Sequence, residues 1–142
     1  MELDTALFQY LTSHQGLLDL LQGRIYPVIA PTQAHFPFMV YQQVGYDGVQ
    51  HMRGAGALAR ATYQLDSLGD SQRSVRQVAE TVRRALDGYH GLLSQVDVRQ
   101  IALVSQAVFL EDDEGGSQDV YYRVSQDIDI WFVQDATVFP PS

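Results

Sequence analysis

The chain has 142 residues, 46 % hydrophobic and 18 % charged, with a formal net charge of −8 and no cysteine. That balance belongs to one folded domain with its own core, not to a disordered segment, and the missing cysteines exclude disulfides, zinc–thiolate sites and thiol catalysis. Nine arginines, no lysine and seventeen acids supply no basic surface for gripping DNA phosphates, which argues against sequence-specific DNA binding.

Leu3, Ala6, Leu7, Tyr10 and Leu11 recur at helical spacing and predict a short amphipathic helix ending before Gly16. Leu17, Leu18, Leu20 and Leu21 add a turn or two, stopped by Gly23. The stretch Gly23–Val44 holds three of the five prolines and passes from an irregular connection, Ile25–Pro37, into an apolar strand that starts at Phe38. Pro37 cannot continue a helix and biases Phe36 toward an extended backbone. In that strand Phe38 and Val40 share one face and Met39 and Tyr41 the other, so both faces need cover.

Residues 46–57 have no clean period and three glycines, and read as a long loop or an extended hairpin tip. Leu58–Leu68 alternates, with Ala59, Ala61, Tyr63 and Leu65 on one side and Arg60, Thr62, Gln64 and Asp66 on the other. It is expected to pair antiparallel with the first strand. Residues 71–87 form the clearest helix, with Val75, Val78, Ala79, Val82 and Leu86 as its buried stripe, Asp70 or Ser71 as cap and Gly88 as stop. Its arginines, spaced four from Glu80 at Arg76 and Arg84, read as a solvated face.

Val96–Leu110 is an apolar strand that changes phase, which a bulge near Arg99–Gln100 would reconcile. Glu111–Asp119 reads as a polar hairpin loop with a Gly-Gly turn. Val120–Val133 alternates: Val120, Tyr122, Val124, Ile128, Ile130 and Phe132 point in, and Arg123, Ser125, Asp127 and Asp129 point out with Trp131 and Val133. The predicted fold is therefore α+β: one domain over 1–142, a four-stranded antiparallel sheet with two helices on one face, in the order α-β-β-α-β-β. Residues from about 134 to 142 form a patternless tail. No apolar run approaches the ~20 residues of a membrane-spanning helix, and the acidic start MELDTALFQYL lacks the basic region of a signal peptide.

Catalytic patterns fall short. Gly54-Ala-Gly-Ala-Leu-Ala59 spells a dinucleotide fingerprint but leads into an extended segment instead of opening a helix. The four histidines, at 14, 35, 51 and 90, have no ligand spacing, and the acids Glu111–Glu114 lack the alternation of a calcium loop. No serine sits in a nucleophile elbow. The expectation is no catalytic residue, no metal and no cofactor. What stands out is apolar material on faces expected to be wet: Met39 and Tyr41, then Tyr121, Trp131 and Val133, and His51–Met52. Either both sheet faces are partly buried within the subunit, or these residues mark an interface. With Tyr46 and Arg53 beside them, the candidate interaction residues are Met39, Tyr41, Tyr46, His51, Met52, Arg53, Tyr121 and Trp131.

GRIYP at 23–27 and FPFMVYQ at 36–42, behind a short N-terminal helix, resemble the tail-completion (tail-terminator) proteins of long-tailed bacteriophages and gene transfer agents. ARATYQLD at 59–66, SQRSVRQVAETVRRALDGYHG at 71–91 and YYRVSQDIDIWF at 121–132 are similar to that family's second strand, second helix and closing strand, in the same order. The resemblance covers about residues 3–133 and implies a structural virion protein without enzyme activity. It implies a homo-hexameric ring that caps the tail tube, stops elongation and docks to the head connector. Tail tube protein and head-completion protein are then partners, and DNA passes through the lumen without specific binding. The implied location is the head-proximal end of the tail, with assembly in the host cytoplasm. Two other readings fit the residues alone. One is another neck component on the portal side; the other is a small α+β enzyme or ligand-binding domain whose sheet face forms a pocket.

Overall fold

A computed structural model describes residues 2–51, 57–112 and 120–134. The elements are α1 (Leu3–Ser13), α2 (Gln15–Leu21), β1 (Ile25–Pro27), β2 (Phe38–His51), β3 (Ala57–Gly69), α3 (Gln72–Leu86), β4 (Gly91–Leu93), β5 (Val96–Asp112) and β6 (Val120–Gln134). The strands form one sheet in the order β1-β2-β3-β6-β5-β4, curled into a half-barrel. Every neighbouring pair is antiparallel except β1 and β2, which run parallel.

This corrects the expected four antiparallel strands and two helices: among the described residues the sheet is mixed and six-stranded, and there are three helices. The extra strands are the two edges. β1 is three residues long, ends on a proline and lies inside the supposedly irregular Ile25–Pro37 connection. It is pinned to β2 by Met39 N–H donating to the Arg24 carbonyl at 2.9 Å and Val28 N–H to the Tyr41 carbonyl at 2.9 Å. β4 is equally short. Three residues cannot display a period of two, so neither strand leaves a sequence pattern. The extra helix arises at His14, whose backbone is extended (φ −69°, ψ 121°). Its imidazole Nδ1 accepts from Leu17 N–H and caps a new helix, α2. The apolar spacing runs on through this break because both helices lie on the same core.

The helical stripes behave as expected. Leu3, Ala6, Leu7 and Leu11 of α1 are buried, as are Val75, Val78, Ala79, Val82 and Leu86 of α3. Ser71 caps α3 by accepting from Ser74 N–H at 3.1 Å, and Gly88 follows its last turn at φ +82°. Tyr10 donates to the Ala85 carbonyl at 2.7 Å and fastens α1 to α3. β3 alternates buried and half-buried along its whole length. In β5 the change of phase falls at Arg99, where the register with β6 shifts between Val98 and Gln100. β2 runs on to His51 and β3 starts at Ala57, so the described part of 46–57 is strand, in line with the extended alternative and not the loop; residues 52–56 lie outside the described residues. Residues 113–119 of the expected acidic loop and 135–142 of the tail lie outside the described residues.

Tyr63 sits where helix and sheet meet. It is fully buried, and its hydroxyl donates to the Asp4 carboxylate on α1. Burial, then the bond to Asp4, push the phenol well above its ordinary value near 10. In the unfolded chain Tyr63 ionises near that ordinary value; in the folded chain it stays neutral. Stability present below about pH 10 is therefore lost above it, at about 1.4 kcal/mol per pH unit for this one group. Urea unfolding from about pH 9 to 11 should show this decline, and Tyr63→Phe should flatten it; an unchanged alkaline slope in the variant would contradict the assignment.

Candidate functional site

The three helices cover one face of the sheet. Its opposite face is built by the other parity of every strand. One row across the sheet is Tyr26, Val40, Asp66, Ser125 and Ala107. Moving along the strands, the next rows bring Asp127 and Asp129 of β6, and Glu111 lies near the far end of β5.

The face is acidic but braced. Arg123 donates to Glu111 at 2.9 Å and to Asp66 at 3.4 Å, and its guanidinium lies 4.4 Å from the Phe109 ring centroid. Burial opposes its charge, yet Glu111 and Asp66 together raise its affinity for its proton above the ordinary value. Arg60 pairs with Asp47 and stands 6.0 Å from the Trp131 ring centroid. Thr62 donates to Asp129 at 2.6 Å and Ser105 to Asp127 at 2.9 Å. The opposite, helical side of the subunit carries the exposed arginines Arg73, Arg76, Arg83 and Arg84 on α3. Glu80 pairs there with Arg83 and Arg84, and Arg83, chiefly through its hydrogen bond, lowers the Glu80 pKa.

The candidate interaction residues among those described are not brought together. Met39 and Tyr41 belong to the subunit's own core: Met39 is fully buried, and Tyr41 packs 6.1 Å from Phe8 of α1. The apolar surplus of this strand lies on the other parity. There Phe38 packs with Tyr26 and Phe36, and Phe36 stacks on Tyr121 at 5.9 Å. Trp131 is half-buried on the acidic face beside Arg60, at the far end from Tyr121. Tyr46 is exposed and donates to Gln134 at 2.7 Å. His51 closes β2 opposite Ala57, while Met52 and Arg53 lie outside the described residues.

Sequence reasoning missed two exposed apolar groups. Val28 and Ile29 stand out at the end of β1, and Val104, Val108, Phe109 and Leu110 along the distal half of β5. A signal was available in both places. Val28 and Ile29 are apolar residues inside a proline-rich connection, and Val104–Leu110 puts apolar side chains on both parities with no charge among them.

Chemistry has little footing here. Among the described residues no three His, Asp or Glu side chains gather as a metal site. The main cleft, about 720 Å³, opens beside the start of α1 between Asp4, Gln43, Tyr46, Tyr63 and Gln134. Within it Tyr63 bonds Asp4 and Gln43, and Tyr46 bonds Gln134; Glu2, Gln95 and Asp97 also line it. Among the described residues no helix is long and apolar enough to cross a membrane.

A scan against protein families matches residues 5–133 to the family described as "Tail completion protein gp17". The chain belongs to this family. As a tail completion protein it is a structural component of a virion tail and not an enzyme. No curated protein matches the chain. Among solved structures it is similar to a chain from the virion of a native gene transfer agent particle, with a TM-score of 0.69 and 17 % identity over 93 % of this chain and 95 % of that one. A second solved chain aligns with a TM-score of 0.48 and 13 % identity over 98 % of this chain and 92 % of its own. The first of these likenesses extends the shared fold to nearly the whole tail completion chain.

Proposed function

We propose that this tail completion protein closes into a ring of identical subunits, six in number, at the head-proximal end of the tail. The ring caps the tail tube, ends its elongation and joins it to the head connector, with DNA passing through the bore. The observation that carries this reading is the family match across 5–133. A ring needs heterologous contacts, in which two different surfaces of one subunit meet. The exposed apolar groups on β2 and β5, near opposite flanks of one sheet, are suited to that. The acidic helix-free face suits a bore, because it repels phosphates. Tail tube protein and head-completion protein would occupy the two rims, and the segment 46–57, with His51, Met52 and Arg53 in its sequence, would touch the tube or a neighbour.

The test is genetic and structural. Particles made without this protein in the host cytoplasm should carry tails of abnormal length, or heads without joined tails, by electron microscopy. Virions of normal length and infectivity would overturn the reading. Light scattering on the purified protein should find a species near six subunits. Incorporation next to the portal and away from the tube would favour another neck role instead.

A further inference from the structure

The sheet's two edges are each half closed. β1 covers β2 at Met39–Tyr41, and Val28 N–H extends that cover by bonding the Tyr41 carbonyl. From Gln42 to His51 no described strand pairs with the outer edge of β2. β4 covers β5 at Val96–Val98. The turn after α3 then prolongs this cover: Gly88 and Tyr89 bond the backbone of Ile101, and Asp87 accepts from Leu103 N–H at 3.0 Å. From Val104 to Asp112 no described strand lies on the outer edge of β5.

The two open stretches sit at opposite corners. Tyr46 shares its row with Ala61, Ile130 and Ile101, whereas the open part of β5 lies beyond Leu103. Both carry apolar side chains in water: Val44 is 50 % exposed and Tyr46 47 %, Val104 52 % and Leu110 62 %. Soluble proteins blunt such edges with proline, lysine or bulges. β1 has this protection, ending in Pro27 and in a tight turn with Val28 at φ +66°. The stretch Val104–Leu110 has neither proline nor charge, and from Ser105 to Asp112 its register with β6 is unbroken. An edge of this kind is a template for another strand.

We propose that the open edge of β5 in one subunit pairs with the open edge of β2 in the next, making the ring's sheet continuous. This rests on the ring reading above. Three features favour a second copy as the occupant. β2 and β5 run in opposite senses, so copies placed head to tail bring them together antiparallel. The diagonal placement of the openings makes neighbours meet with a stagger. Bringing Tyr46 opposite Gln106 instead of Ile101 needs a stagger of four rows across four strands, β2, β3, β6 and β5, because one residue between Ile101 and Gln106 is taken up by the β5 bulge at Leu103–Ser105. At about 3.3 Å per residue and about 4.8 Å per strand that is a tilt of about 35°, at the lower end of the roughly 35–45° of closed barrels. Finally, β1 and Val28 cover β2 only as far as Tyr41, and the turn after α3 covers β5 only as far as Leu103, so in this register Gln42–Gly48 of one copy and Val104–Leu110 of the next are both open. On β2 the contact centres on Gly45–Asp47, between its two bulges.

The chain has no cysteine, so engineered thiols report without background. In the full chain, Tyr46→Cys combined with Gln106→Cys, or with Val108→Cys for a stagger two residues longer, should form disulfides between subunits on oxidation. The product should be a ladder of multimers on a non-reducing gel, absent from each single variant. Val108→Lys should keep the subunit's melting temperature and raise the protein concentration needed for assembly at least about tenfold. A ring that forms with neither pair cross-linking and with Val108→Lys indifferent overturns the pairing and leaves the ring standing. A chain that stays monomeric at every concentration and is absent from tails overturns the ring itself. A tube-protein strand, or residues 135–142, seated on β5 would appear as cross-links to that segment in place of the ladder.

Discussion

Met39→Asp should abolish the folded subunit. Met39 is fully buried, in register between Ile25 of β1 and Ser67 of β3, and belongs to the cluster built with Leu7, Leu11 and Leu17. An ionised carboxylate there has no counter-charge within the core cluster, and burying it unpaired costs several kcal/mol. A domain's whole stability is about 5–15 kcal/mol, so one such charge takes most of it. Circular dichroism should show no cooperative melting transition for this variant. Met39→Leu, close in volume, should stay within about 1.5 kcal/mol of the natural chain. Trp131→Ala supplies the contrast. Trp131 is half-buried on the helix-free face and contacts Arg60, so its loss should leave a folded monomer and register in assembly. A folded, soluble Met39→Asp protein would mean that β2 turns its other face to the helices.

The same strand shows where sequence reading stops. β3 was legible because Ala59, Ala61, Tyr63 and Leu65 alternate with polar residues, and a strand with one wet face must alternate. β2 was not, because Phe38 and Val40 are as apolar as Met39 and Tyr41. What separates the two faces is long-range: the helices on one side, and Phe36, Tyr26 and Tyr121 on the other. The end of the first helix before Gly16 and a turn or two beyond it were legible in the leucine spacing, but that those turns make a helix of their own depends on the backbone angle at His14. The edge strands hid for want of length. Exposure on β5 was obscured by a different limit: periodicity reports which way side chains point, and says nothing of whether a strand has a neighbour on its outer side. The family, by contrast, was legible, because it resides in the ordered set of strand and helix segments between residues 5 and 133.

Ile101→Ala and Leu110→Ala should separate the two roles of β5. Both residues are large and aliphatic, and both sit opposite β6, at Ile130 and Tyr122. Ile101 is fully buried under the helices, with its outer backbone edge closed by Gly88 and Tyr89. Truncating it removes core contacts and leaves a cavity, worth about 2–5 kcal/mol. Leu110 is mostly exposed, so its truncation should change monomer stability by no more than about 0.5 kcal/mol. Its cost should fall instead on ring formation and tail joining. Urea unfolding at a concentration that keeps the protein monomeric, set beside light scattering and particle yield for the same two variants, measures both columns. If Leu110→Ala unfolds as easily as Ile101→Ala, the distal half of β5 is core and its outer edge is not open. If it assembles and joins tails like the natural chain, that edge is open but idle. A stable monomer with impaired assembly is the result expected of a strand whose proximal half builds one subunit and whose distal half builds the joint to the next.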